Sequence, residues 1–189
     1  MLRLAAYLAQ PIKQSRAGTA DLRAEGLLPG DVLLMDGDTR GAALVRRLTG
    51  SSWSHVAMYV GPLEDGTDPR CVVEADVAAG VRAVRLSEFK GLNIRVLRPK
   101  GLEETERRRL TDWVVGRIGH AYDLAHAWLL AMKLLRLPLN PRPSSKRFIC
   151  SSLLAQAFIL VGYAIGADHS YVTPGDFERA PLFDVVRPS

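Results

Sequence analysis

The sequence predicts an α+β fold and not a doubly wound parallel sheet, and two observations carry that expectation. Segments with strand character gather in the first half of the chain, while segments of helical spacing dominate the second. Three of the strands follow one another across tight loops, which is the pattern of an antiparallel meander.

Residues 1–26 read as a basic amphipathic helix ending at Gly26. The opening MLRLAAYLAQPIKQ has a basic residue and a short apolar stretch, but no long apolar core and no clear small-residue cleavage site. It therefore reads as a retained segment, which divides the chain into a helical extension, 1–26, and one domain, 27–189, and leads us to expect a cytoplasmic protein. Pro29-Gly30 then turns the chain into a short apolar strand over 31–35. In 41–49, Leu44, Val45 and Leu48 share one side of a helix. After Ser51-Ser52 comes a strand over 55–60, stopped by Gly61-Pro62. A Gly/Asp/Pro-rich loop leads to a second strand over 70–75, and Ala79-Gly80 turns the chain into a third over 81–86. Residues 93–97 add another strand, ended by Pro99.

The second half opens with a helix over 101–119, acidic in its first turn, with Leu110, Trp113, Val114 and Ile118 on one face. The apolar stretch 124–139 is broken by His126, Lys133 and Arg136 and closed by Pro138. It reads as a partly buried helix, with a membrane-surface helix as the other reading. A Pro/Ser/basic linker, 138–147, leads into a helix that starts at or just after Cys150. Residues 148–167 carry no charge over a length that could cross a bilayer. Cys-Ser-Ser near its start, Gln156 in its middle and Gly162 and Gly166 beyond favour a buried helix followed by a turn. A turn at 173–175 and a strand over 183–186 complete the chain.

At 189 residues the chain suits one domain with a real core, and 48% apolar against 24% charged residues excludes bulk disorder. An excess of 25 Lys and Arg over 20 Asp and Glu is compatible with nucleic acid, anionic lipid or an acidic substrate, and selects none of them. The basic runs Arg46-Arg47 and 107–109 lie on helical segments without interleaved aromatics. They read as solvated faces, so no nucleic-acid partner is expected. Two cysteines allow no disulfide framework and no cysteine-rich zinc site.

Cys150 falls at a helix N-terminus, where free backbone N–H groups and the helix dipole favour thiolate, and Lys146 and Arg147 add positive charge. The competing reading is a buried core thiol. Thiolate chemistry at neutral pH needs a base. His55 opens a strand directly after Trp53-Ser54, where side chains project from a sheet end. His120, His126 and His169 read as ordinary residues. Glu74 lies in the apolar run Val72-Val73-Glu74-Ala75, where a carboxylate needs a partner. It would orient His55 if the two strands are neighbours, or face water from an edge strand if they are not. Cys71, in mid-strand, reads as structural. The Ser151 N–H, from helix geometry, is the expected oxyanion donor.

The segments LLPGDVLLMDGD (27–38), SSWSHVAMYVG (51–61), VVEADVAAGVRAVRL (72–86), GHAYDL (119–124) and FICSSLLAQAF (148–158) resemble the YiiX/YebB-like branch of the NlpC-type cysteine hydrolases. That resemblance implies a circularly permuted papain-like fold, with an antiparallel sheet packed against the nucleophile-bearing helix and extra helices beside it. It also implies that Cys150 is the nucleophile, His55 the general base and then acid, and Glu74 the group orienting His55. Tyr122 would line the site and help bind the oxyanion. The implied reaction is hydrolysis of an amide or ester through a thioester, with no cofactor and no metal. An acyl-chain or lipid-like substrate at a membrane face is expected, with peripheral membrane contact. A cell-wall peptide is the alternative substrate. A catalytically silent binding module, or a metal site built from His55, Glu74 and Cys150, would be readings of another class.

Overall fold

The computed structural model describes residues 24–37, 39–122, 147–148, 150–166 and 172–186. The expected helix over 1–26 lies outside them apart from 24–26, which form a turn, and the 124–139 stretch lies outside them altogether. Strands β1 (Val32–Asp36), β2 (His55–Tyr59), β3 (Arg70–Asp76), β4 (Gly80–Arg85) and β5 (Asn93–Pro99) belong to one sheet. Two short strands, β6 (Ala121–Tyr122) and β7 (Arg147–Phe148), pair in parallel, and β8 (Phe183–Val186) returns to the main sheet. Among the described residues the main sheet has six strands in the order β4-β3-β2-β1-β5-β8, with every neighbouring pair antiparallel. The helices are α1 (Arg40–Thr49), α2 (Glu104–Val115), α3 (Cys150–Ile159) and α4 (Pro174–Arg179). The architecture is the expected α+β one.

β1 is apolar at successive positions because both faces of the sheet are covered at its centre. Val32 and Leu34 point to a core shared with Val56, Met58, Val73 and α3, while Leu33 and Met35 join Ala57, Tyr59, Cys71, Val84 and Phe89 on the other face. α3 buries Leu153, Leu154, Ala157 and Phe158 completely. Its lack of charge thus reflects core burial. The helix is ten residues long, and no helix among the described residues is long and apolar enough to cross a membrane. Phe158 anchors a ring cluster with Tyr163, Phe177 and Phe183, which ties α3 to α4 and β8.

Several boundaries differ from the sequence reading. Asp31 precedes β1 and is fully buried. Its carboxylate accepts bonds from the Leu28 N–H (2.9 Å) and from Arg98 Nε (3.0 Å) and Nη2 (2.7 Å). Arg98→Ala would strand that buried carboxylate, and an unfolding free energy lower by about 3 kcal/mol is expected from denaturant titration. α2 stops at Val115, because Arg117 and Ile118 donate to carbonyls three residues back and Gly119 leaves at φ +90°. The segment 173–175 does more than turn. Thr173 caps α4 reciprocally with Asp176, and Pro174 opens the helix. Two of the basic residues are half-buried ties within the fold as well as parts of a solvated face: Arg107 Nη1 donates to the Pro29 carbonyl (2.8 Å), and Arg46 pairs with Asp36.

Candidate active site

The site forms where the end of the sheet meets the start of α3. His55 is the first residue of β2, opposite Met35 of β1. Its approach is fixed by Ser54, whose N–H donates to the Met35 carbonyl (3.0 Å) and whose hydroxyl accepts from the Gly37 N–H (2.9 Å). Trp53, just before, is buried beneath the Arg95 guanidinium, 5.1 Å from its ring centre.

β3 lies inside the sheet between β2 and β4, so Glu74 is not an edge residue facing water. It sits directly opposite Ala57 on one side and Arg82 on the other, one diagonal step from His55. The carboxylate is buried, and its two oxygens are divided between two partners. Oε2 takes His55 Nε2 at 2.7 Å, and Oε1 accepts from Arg82 Nε (3.0 Å) and Nη2 (2.7 Å).

Cys150 is the first residue of α3 and is buried. Its thiol is close enough to His55 for each to shift the other's charge, and because Nε2 is taken by Glu74, Nδ1 is the ring nitrogen left for sulfur. The backbone N–H groups of Val56 and Ser151 add to the pull that favours the sulfur anion. Pairing of β2 with β3 starts only at Ala57, which leaves Val56 outside that ladder.

These contacts set the charges. Burial pushes the Cys150 thiol up, but the His55 cation and the two N–H groups outweigh it and hold the thiol below its ordinary range. Burial pushes His55 down, yet the Cys150 thiolate and then Glu74 raise it well above 6.5. Glu74 is pushed up by burial and brought down to about 2 by His55 and Arg82. The arrangement favours a thiolate–imidazolium pair braced by a carboxylate. About 25% of the His55 side chain stays exposed, which leaves an approach for a substrate.

Other expected residues fall as follows. The Ser151 hydroxyl is committed to the Val172 carbonyl at 2.5 Å, which leaves its backbone N–H, next to Cys150, as the group available for an oxyanion. Tyr122 lies on β6, paired with Phe148 two residues before Cys150. β6 is held there by a close backbone contact: the Val81 N–H donates to the His120 carbonyl (2.8 Å), and a Cβ on Gly80 would lie 2.3 Å from that oxygen. Cys71 lies among the apolar residues of the sheet's other face, its thiol pushed up by burial. Arg82 went unnoticed in the sequence, although the β3–β4 hairpin turn predicts it as the partner of Glu74.

A metal fits these residues poorly. His55 Nε2 and both Glu74 oxygens are engaged with each other and with Arg82, and the described residues contain no group of three or more His, Cys, Asp or Glu arranged to hold a metal ion.

The family model of the permuted papain-like amidases, the YaeF/YiiX or C92 family, matches residues 27–168. The fold is similar to the crystal structure of the metalloprotein yiiX from Escherichia coli O157:H7, with a TM-score of 0.64 and 18% identity over 85% of this chain and 97% of that one. No curated protein matches the sequence. With its sheet, helix order and family match in agreement, the chain belongs to the permuted papain-like amidases of the C92 family and is a cysteine hydrolase acting on amide bonds.

Proposed function

We propose that the chain cleaves its amide through a Cys150–His55–Glu74 triad and a thioester intermediate, and that the acyl part of the substrate is lipid-like. What supports the triad is the 2.7 Å bond between His55 Nε2 and a buried Glu74, together with the electrostatic coupling of His55 to Cys150 at the start of α3. In the first step the Cys150 thiolate attacks the carbonyl carbon, and the carbonyl π electrons move to oxygen. The Ser151 N–H at the start of α3 is the donor assigned to that oxyanion, with Tyr122 as the second. The intermediate collapses as the C–N bond breaks, and the nitrogen leaves with the Nδ1 proton of His55. Water then gives a proton to neutral His55 and attacks the thioester. The acid departs, and the thiolate–imidazolium pair is restored.

The lipid-like substrate is supported by the excess of basic residues and by the apolar stretch at 124–139. Assays pairing a long-chain N-acyl amide with a cell-wall peptide test this directly. Faster turnover of the acyl amide, retained by wild type and lost in Cys150→Ala, is expected, whereas cleavage of the peptide alone would overturn the lipid-like assignment.

Glu74→Gln gives a sharper check on the triad. His55 must be protonated to expel the amine, so activity falls as pH rises through its raised pKa. Without the carboxylate that support weakens. The alkaline limb of kcat/KM is expected to move toward neutral pH, with kcat lower by about 10-fold or more. An unmoved limb would remove Glu74 from the triad. Since the donor atoms are engaged, dialysis against EDTA is expected to leave activity unchanged. A loss restored by zinc would contradict the metal-free site.

A further inference from the structure

We propose that Arg82 is a positioning residue of this active site: by gripping Glu74 through Oε1 alone, its guanidinium presents Oε2 to His55 and keeps the ring facing Cys150. This rests on the triad reading and adds a residue to it. Both described side-chain hydrogen bonds of Arg82 go to Glu74, and both end on the same oxygen, at 3.0 and 2.7 Å. A planar fork that closes on one oxygen fixes the carboxylate plane and leaves the other oxygen a single direction. The hairpin register supplies the placement, with Arg82 directly across from Glu74 and Ala57 on the far side. The burial pattern explains why the fork is needed. Glu74 keeps only 6% of its side chain exposed, and one histidine ring cannot satisfy both of its oxygens. Arg82, by contrast, keeps 41% of its side chain exposed, so its charge stays partly hydrated while it pairs.

The grip acts at a distance on the nucleophile. With Arg82 gone, Glu74 holds a proton more readily, supports the imidazolium less, and the thiolate loses its cation. Removing a positive charge pushes Cys150 in the same direction. The charged groups that the described residues place around these side chains are the following. Asp76 and Glu88 lie in electrostatic range of Arg82, Arg82 and His55 face Glu74, and His55 faces Cys150.

The test uses the full chain and iodoacetamide, with Cys150 alkylation rates measured by mass spectrometry across pH, so no substrate is required. Relative to wild type, Arg82→Gln is expected to raise the midpoint of the acid limb by about one pH unit. Arg82→Lys keeps the charge but not the fork, and is expected to shift the midpoint by about half as much. In a Glu74→Gln background, Arg82→Gln is expected to add less than about 0.3 units, since its route is gone. A merely structural arginine would lower the melting temperature and leave the midpoint where it was. An unmoved midpoint in whichever of the two Arg82 variants folds overturns the proposal, as does an undiminished shift in the Glu74→Gln background. The two levels of failure separate cleanly. If His55→Ala labels like wild type, the triad itself fails; if His55→Ala loses the low-pH reactivity while the Arg82 variants keep it, only Arg82 fails.

Discussion

Serine in place of Cys150 is expected to lower amide hydrolysis by about 10⁴-fold or more while leaving the fold in place. The two side chains are close in size, and Cys150 occupies the edge of a core formed by Leu153, Leu154 and Val56. What disappears is the anion. A thiol held below its ordinary range by an imidazolium and two backbone N–H groups ionises more readily than a free one, whereas the same contacts cannot ionise a hydroxyl. The loss also reaches His55, since the sulfur anion helps to raise that ring. Steady-state kinetics on an amide substrate, with a thermal melt as the folding control, reads the effect. A variant with a tenth or more of wild-type activity would place the nucleophile elsewhere.

Removing the imidazole comes next in size. His55→Ala is expected to reduce kcat/KM by about 10³-fold, because one substitution abolishes two functions. The leaving nitrogen has no proton donor, and Cys150 loses its neighbouring cation. Burial then dominates the thiol, which rises above its ordinary range and is mostly neutral at pH 7. The ring leaves a partly open space, so added imidazole is expected to restore part of the rate. A residue acting only through packing would show no such rescue.

How far the sequence could be read depended on the range of the interactions involved. The strands were visible because a covered central sheet demands apolar runs, and Gly-Pro and Ala-Gly punctuation marked their ends. Cys150 at the head of a charge-free helix was equally plain from local pattern. Whether Glu74 faced water or His55 was not local, since the answer depends on β3 lying between β2 and β4. Asp31 looked like the first strand residue because its partner, Arg98, is far away in the sequence. Two omissions had readable signals. Thr173-Pro174-Gly175-Asp176 is a capping-box pattern with proline at the first helical position, and it marks a helix where a turn was expected. The turn at Ala79-Gly80 fixes the hairpin register that sets Arg82 against Glu74. Alternation alone says which face a residue shares, but only the register names its neighbour.

The central claim is that Cys150 and His55 rest as a thiolate–imidazolium pair, and the rate of iodoacetamide alkylation against pH tests it most directly. Cys71, buried on the other face with its thiol pushed up, serves as the reference within the same molecule. The predicted result is rapid labelling of Cys150 already at pH 6, well below the ordinary thiol range near 8.5, with Cys71 unlabelled and the low-pH reactivity lost in His55→Ala. Labelling of Cys150 that rises only as pH approaches about 8.5, and is the same with or without His55, would contradict it.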